Sequence, residues 1–175
     1  MNALLTALVP PLLALALALP GAAAPRLVVR PLPAPLVVAR WWEPPPSPYA
    51  AGHRGVDLRA PAGSPVRAPA AGLVRHAGPV AGRGVLSLAL AEDLWLTFEP
   101  VRPLVRAGAR VRAGQVVAVL ESSAASHCGP NVACLHWGVL RADRYEDPLP
   151  LLPRPVPRLL VSRARRAGPS RPRSR

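Results

Sequence analysis

The chain has 175 residues, a length that accommodates one folded domain with terminal extensions. Proline accounts for 25 residues, lysine is absent, and 22 arginines against 9 acids give a formal net charge of +13. Residues 153–175 hold 8 of these arginines and no acid, so the rest of the chain carries only +5. The body is therefore mildly basic and poor in aromatic residues. Because neither a basic groove nor a series of stacking aromatics is evident, no nucleic-acid partner is expected.

Residues 1–24 form an apolar run that ends in small residues. The most apolar part, residues 4–19, is interrupted by prolines and falls short of the ~20 residues that span a membrane. A short apolar run followed by small residues is typical of a secretory signal peptide. We therefore predict a signal peptide over residues 1–24 and an extracytoplasmic location, with an uncleaved N-terminal anchor as the alternative.

Residues 25–51 are rich in proline and contain the pair Trp41-Trp42. Proline disfavours a helix and favours extended chain. Two interpretations remain open, because composition alone does not decide whether such a segment packs. It is either a linker or an arm that lies across the following domain, anchored by a tryptophan.

Residues 52–152 consist of short apolar segments separated by glycine and proline turns every 8–12 residues. This pattern, without any clean helical period, predicts a single all-β domain of the sandwich or barrel type. The predicted strands are residues 66–74, 84–90, 94–98, 116–120 and 134–140.

Residues 153–175 contain arginine, proline and small residues. Such a segment is expected to be disordered. Either it attracts an anionic polymer or it is a solvated tail without a partner, since a run of charge alone says little about fold or partner.

His53 and Asp57 are the first candidates for a site, because imidazole and carboxylate both suit zinc. On a straight strand these positions would lie about 13 Å apart. One ion could bind both only if the chain turned at Gly55, where glycine permits unusual backbone angles. A surface loop with an incidental histidine and aspartate is the other interpretation.

Alternation along residues 134–140 directs Trp137 to the core and His136 to the opposite, open face.

Two cysteines, Cys128 and Cys134, flank the segment that leads to His136. In an exported protein a disulfide between them is favoured. The alternative makes Cys134 a zinc ligand, since it shares a strand face with His136.

Taken in order, these motifs resemble the lysostaphin/LytM-type zinc metallopeptidases, which act on bacterial cell-wall peptides. The similarity covers roughly residues 41–152. Residues 52–58 match the family's His-x-x-x-Asp motif. Two glycine- and valine-rich strand units follow, at residues 62–74 and 105–119, and His136 lies where the family has the last residue of His-x-His.

This resemblance implies a compact, highly twisted antiparallel β-sandwich with a groove. It implies one Zn²⁺ held by His53, Asp57 and His136, with an open position for water. It also implies peptidoglycan cross-link peptides as substrate and a secreted or cell-wall location. If the arginine-rich tail attracts an anionic polymer, a wall polymer is the candidate. A monomer is expected.

The chain departs from the family at both catalytic histidines. Cys134 occupies the first position of His-x-His, and Pro100 occupies the histidine position of a Tyr-x-His segment. Glu99 and His127 are the candidate substitutes, because a carboxylate or an imidazole near the metal can take the proton. Two functions therefore stay open: an active zinc endopeptidase, and an inactive member that binds peptidoglycan or activates another wall hydrolase.

Overall fold

The protein is described by a computed structural model that covers residues 27–47, 49–90, 93–122, 128 and 132–153. The predicted signal peptide, His127 and all but the first residue of the predicted tail lie outside the described residues. Within those ranges, no helix is long and apolar enough to cross a membrane.

The described residues form two antiparallel sheets, as the predicted all-β fold requires. In chain order the strands are β1 (Val37–Arg40), β2 (Val56–Arg59), β3 (Pro65–Arg67), β4 (Gly72–Val80), β5 (Arg83–Ala89), β6 (Leu94–Glu99), β7 (Val101–Pro103), β8 (Arg110–Val111), β9 (Val116–Leu120), β10 (Cys134–Arg141) and β11 (Arg144–Glu146), followed by a short 3₁₀ helix at Leu149–Leu151. The larger sheet has the order β1-β2-β10-β6-β5-β4-β8, and β11 pairs with β10. The smaller sheet has the order β3-β9-β7.

Alternation along the two central strands separates the core from the open face of the larger sheet. On β10, Leu135, Trp137 and Val139 are fully buried, and on β6 Leu96 and Phe98 are fully buried. The intervening side chains project to the opposite face because successive residues of a strand point in opposite directions. The predicted inward direction of Trp137 is confirmed.

The strand predicted over residues 66–74 is wrong, because the structure divides it between the two sheets. β3 ends at Arg67 and pairs with β9, whereas β4 begins at Gly72 and pairs with β5 and β8. Pro69 lies between them and has no N–H to donate to a ladder. Its carbonyl instead accepts hydrogen bonds from the backbone of Val28 and Val29. Pro69 is the local sign of this break, but the sequence does not show which sheet each part joins.

The proline-rich segment lies across the domain, as in the arm interpretation. β1 pairs with β2, and the Arg67 N–H donates to the Pro31 carbonyl at 2.8 Å. Leu27 and Leu32 are buried in the same core as the sheet residues. Trp42 packs against that core, while the side chain of Trp41 is 64% exposed. The arm therefore belongs to the folded unit.

Candidate metal centre

Two neighbouring strands and the loop before one of them place the three predicted ligands together. β2 and β10 are antiparallel neighbours, and their register sets Asp57 directly opposite His136. His53 lies just before β2 and approaches from the loop. Its Nε2 is 3.1 Å from Asp57 Oδ1 and 3.1 Å from His136 Nδ1. His136 Nδ1 is 2.8 Å from Asp57 Oδ1. The three side chains thus converge on one point.

Their chemistry and spacing suit a metal ion. The candidate ligand atoms lie within 4.8 Å of one another. Tetrahedral zinc with bonds of roughly 2.0–2.2 Å has its donor atoms about 3.3 Å apart, close to the separations observed here. Asp57 is fully buried and His53 is 4% exposed. A buried carboxylate must be paired or coordinate a metal, so this donor set can hold zinc.

Gly55 permits this arrangement for a reason that differs from the one predicted. It is absent from the glycines with positive φ, so no unusual backbone angle is needed. A Cβ at this position would instead collide with the carbonyl oxygen of Trp137 and lie 2.9 Å from His136 Nε2. The chain does bend at Arg54 and Gly55, as predicted, but glycine is required here by close packing against β10 and not by a positive φ.

Glu99 lies beside the cluster. On β6 it pairs in register with His136, and directly paired residues have Cβ atoms roughly 4.5–5.5 Å apart. Its carboxylate accepts a hydrogen bond from Arg83 Nη1, with an N–O distance of 3.1 Å. Glu99 and Arg83 both lie on the open face of the larger sheet.

A groove on this face passes over the metal cluster. The groove is lined by Arg40, Gly52, His53, Arg54, Val80, Val85, Thr97, Glu99, His136 and Tyr145.

The sequence model for peptidase family M23 matches residues 51–148, which is more than half of the chain. The chain belongs to this family. Its members are zinc-dependent and extracytoplasmic, and they act on peptidoglycan peptides. The matched residues include the whole His53, Asp57 and His136 cluster, and the resemblance drawn from the motifs is confirmed.

Curated relatives of the chain are themselves uncharacterized. An uncharacterized protein of Mycobacterium tuberculosis is 42% identical over 127 residues, which are 70% of this chain and 50% of the relative. The chain thus spans about half the length of the curated relatives it matches.

Solved structures show the same fold. The catalytic domain of lysostaphin from Staphylococcus simulans has a TM-score of 0.55 at 22% identity, covering 66% of this chain and 90% of that domain. A zinc-containing peptidase from Vibrio cholerae has a TM-score of 0.52 at 23% identity, covering 66% of this chain and 37% of the other.

Within this M23 fold, Cys134 takes part in a disulfide with Cys128, with Cα atoms 6.0 Å apart. Its side chain is fully buried, and a sulfur in a disulfide is no thiolate ligand. The interpretation of Cys134 as a zinc ligand therefore does not fit the structure. The bond ties residue 128 to the start of the strand that carries His136.

Three features around this M23 site were not found from the sequence. Arg83 reaches Glu99 from the neighbouring strand, which could have been inferred only from the register of β5 against β6. Tyr145 borders the groove from β11, a strand too short and polar to show a pattern. Trp41 contributes its backbone carbonyl, which hydrogen-bonds the His53 ring at 2.7 Å. No side-chain signal exists for a backbone contact.

Proposed function

We propose that the protein is an exported zinc metalloendopeptidase that cleaves cross-link peptides of peptidoglycan. The observation that carries the proposal is the convergence of His53, Asp57 and His136 within the part of the chain that matches the M23 family. The two histidines line an open groove. Three protein ligands beside an open groove suit a catalytic zinc site, in which one position remains for water or substrate.

In this proposal His53 Nε2, Asp57 Oδ1 and His136 Nδ1 hold the zinc. The ion would supply Lewis-acid activation of a water molecule and of the peptide carbonyl. The open face of the sheet then holds the peptide against Thr97 and Glu99, which lie on the β6 side of His136.

Glu99 is proposed as the group that takes the proton. Support for this role comes from its register opposite His136 and from its place in the lining of the groove. The ion pair with Arg83 holds the carboxylate on the groove side. A carboxylate can act as a general base when its pKa lies near the working pH. His127, the other candidate, lies outside the described residues.

A second function is favoured by a different observation. The two positions that carry catalytic histidines in the resembling enzymes hold Pro100 and Cys134, and Cys134 is in a disulfide. Neither can transfer a proton. A protein that binds peptidoglycan peptides, or that activates another wall hydrolase, would need the groove without the proton transfer.

The two functions are separated by digestion of purified, cross-linked peptidoglycan with zinc-loaded protein. Release of soluble peptide that is absent in His53→Ala supports the peptidase. Glu99→Gln should reduce that release by about 10²–10⁴-fold while zinc content stays at one per chain. His76→Gln is the matched control, because this histidine lies on β4 and outside the cluster. Binding to peptidoglycan without release, equal in wild type and His53→Ala, would refute the peptidase and favour the binding protein.

A further inference from the structure

We infer that residues 41–45 of the arm are a positioning element for the metal centre, and that the Trp41 carbonyl fixes the ring of His53. The expected effect on zinc binding rests on the proposed metal site, but the hydrogen bond between His53 and the Trp41 carbonyl can be tested without metal. The arm contacts the backbone on both sides of Gly55, because Arg40 pairs with Asp57 and Glu43 pairs with His53.

A backbone carbonyl fixes the position of the proton on the His53 ring. Nδ1 lies 2.7 Å from the Trp41 carbonyl oxygen. A carbonyl can only accept a hydrogen bond, so at this distance Nδ1 must carry the hydrogen and donate it. In a neutral ring the lone pair is then on Nε2, the atom that faces Asp57 and His136. One backbone oxygen thus selects the tautomer that can bind metal at this point.

Backbone contacts between the arm and the His53 loop hold the Trp41 carbonyl oxygen in place. The His53 N–H donates to the Glu43 carbonyl at 2.8 Å, and the Glu43 N–H donates to the His53 carbonyl at 3.1 Å. Beside this pair, a Cβ added to Gly52 would lie 2.8 Å from the Glu43 carbonyl oxygen and 2.9 Å from backbone atoms of Pro45. The arm and the His53 loop therefore touch through backbone atoms, with no space for a methyl group.

The hydrogen bond to the Trp41 carbonyl affects the affinity of the site for metal. Without the Trp41 bond, a neutral His53 divides between two tautomers and its ring can rotate, so only a fraction of molecules presents Nε2 to the site. Apparent affinity falls in proportion to that fraction. Loss of an outer partner of a metal-binding histidine typically costs about 10–100-fold in metal affinity.

Gly52→Ala is the test, because its methyl group separates the arm from the loop without altering a ligand. Gly78→Ala is the matched control: a Cβ there meets nothing within 4 Å. Zinc affinity is measured by competition with a chromophoric chelator, and the His53 tautomer by ¹⁵N NMR of metal-free protein with a neutral ring. We expect wild type and Gly78→Ala to show hydrogen on Nδ1 alone. Gly52→Ala should show both tautomers and bind zinc about 10–100-fold more weakly.

Wild-type protein with hydrogen on Nε2 would overturn the inference, even if Gly52→Ala does not fold. Equal zinc affinity of Gly52→Ala and Gly78→Ala, with both folded and the tautomer mixed in Gly52→Ala, would also overturn it. If wild type binds no zinc, the proposed metal centre fails, whereas the tautomer measurement still decides whether the arm positions His53.

Discussion

Replacing Gly55 with alanine adds one methyl group at the contact between the His53 loop and β10. The new Cβ would collide with the Trp137 carbonyl and lie 2.9 Å from two atoms of the His136 ring. The Trp137 carbonyl cannot move away easily, since β10 is paired with β2 on one side and β6 on the other. To restore ordinary contact, the loop must move away from the carbonyl by about 1 Å, and the His136 ring from the new methyl group by about half an ångström as well.

This crowding destabilises the folded state. Overpacking by one methyl group in a well-packed region lowers the free energy of unfolding by about 1–3 kcal/mol. For a folded unit of this size, 1 kcal/mol changes Tm by about 4 °C, so Tm should fall by about 4–12 °C. The same shift displaces His136, and zinc should bind more weakly.

Thermal unfolding of metal-free Gly55→Ala, measured by circular dichroism, checks the stability. A zinc titration of the folded variant checks the site. Gly78→Ala again provides the control for the same chemical change in open space, and its Tm should stay within about 2 °C of wild type. If Gly55→Ala matches this control in both Tm and zinc affinity, close packing against β10 is not the reason why residue 55 is a glycine.

Other substitutions test the ligand set and the disulfide. Zinc at 100 times its Kd should stabilise the wild type by about 2.7 kcal/mol, which raises Tm by about 10 °C. His136→Ala should lose this rise in Tm, whereas His76→Ala should keep it. An unchanged rise in His136→Ala would show that His136 is not a ligand. Thiol titration of unfolded, non-reduced protein should find no free thiol, since Cys128 and Cys134 are bonded. Replacing both cysteines with serine should cost about 2 kcal/mol of stability by the chain-entropy estimate and leave zinc bound; loss of zinc would show that this bond supports the metal centre.

The sequence was sufficient for the parts of the fold that depend on alternation. Large apolar residues alternate with smaller or polar ones over residues 135–139, so the inward direction of Trp137 and the outward direction of His136 could both be predicted. The motif around His53 and Asp57 indicated which residues converge, although not how. Pairing of β2 with β10 brings Asp57 opposite His136. This register could not be predicted, because the residue pattern of one strand does not specify its alignment with a strand distant in sequence.

Other parts depend on contacts that leave no local trace. Between β3 and β4, the Pro69 carbonyl accepts hydrogen bonds from the backbone of Val28 and Val29 in the arm. The role of Gly55 depends on the distance to a strand about eighty residues later in the chain. The Trp41 carbonyl would be present whatever side chain stood at residue 41. Backbone contacts between distant segments are therefore what sequence reasoning missed here.

The opposition of Asp57 and His136 across β2 and β10 has a consequence for motion. A metal ion bound to both would join two strands that otherwise hold each other by backbone hydrogen bonds, in the manner of a reversible cross-link. Opening of this strand pair would separate the ligands, so metal release and local opening become one event. Amide hydrogen exchange along β2 and β10 should accordingly slow when zinc is added, and the extent of slowing would measure how firmly the ion joins the two strands.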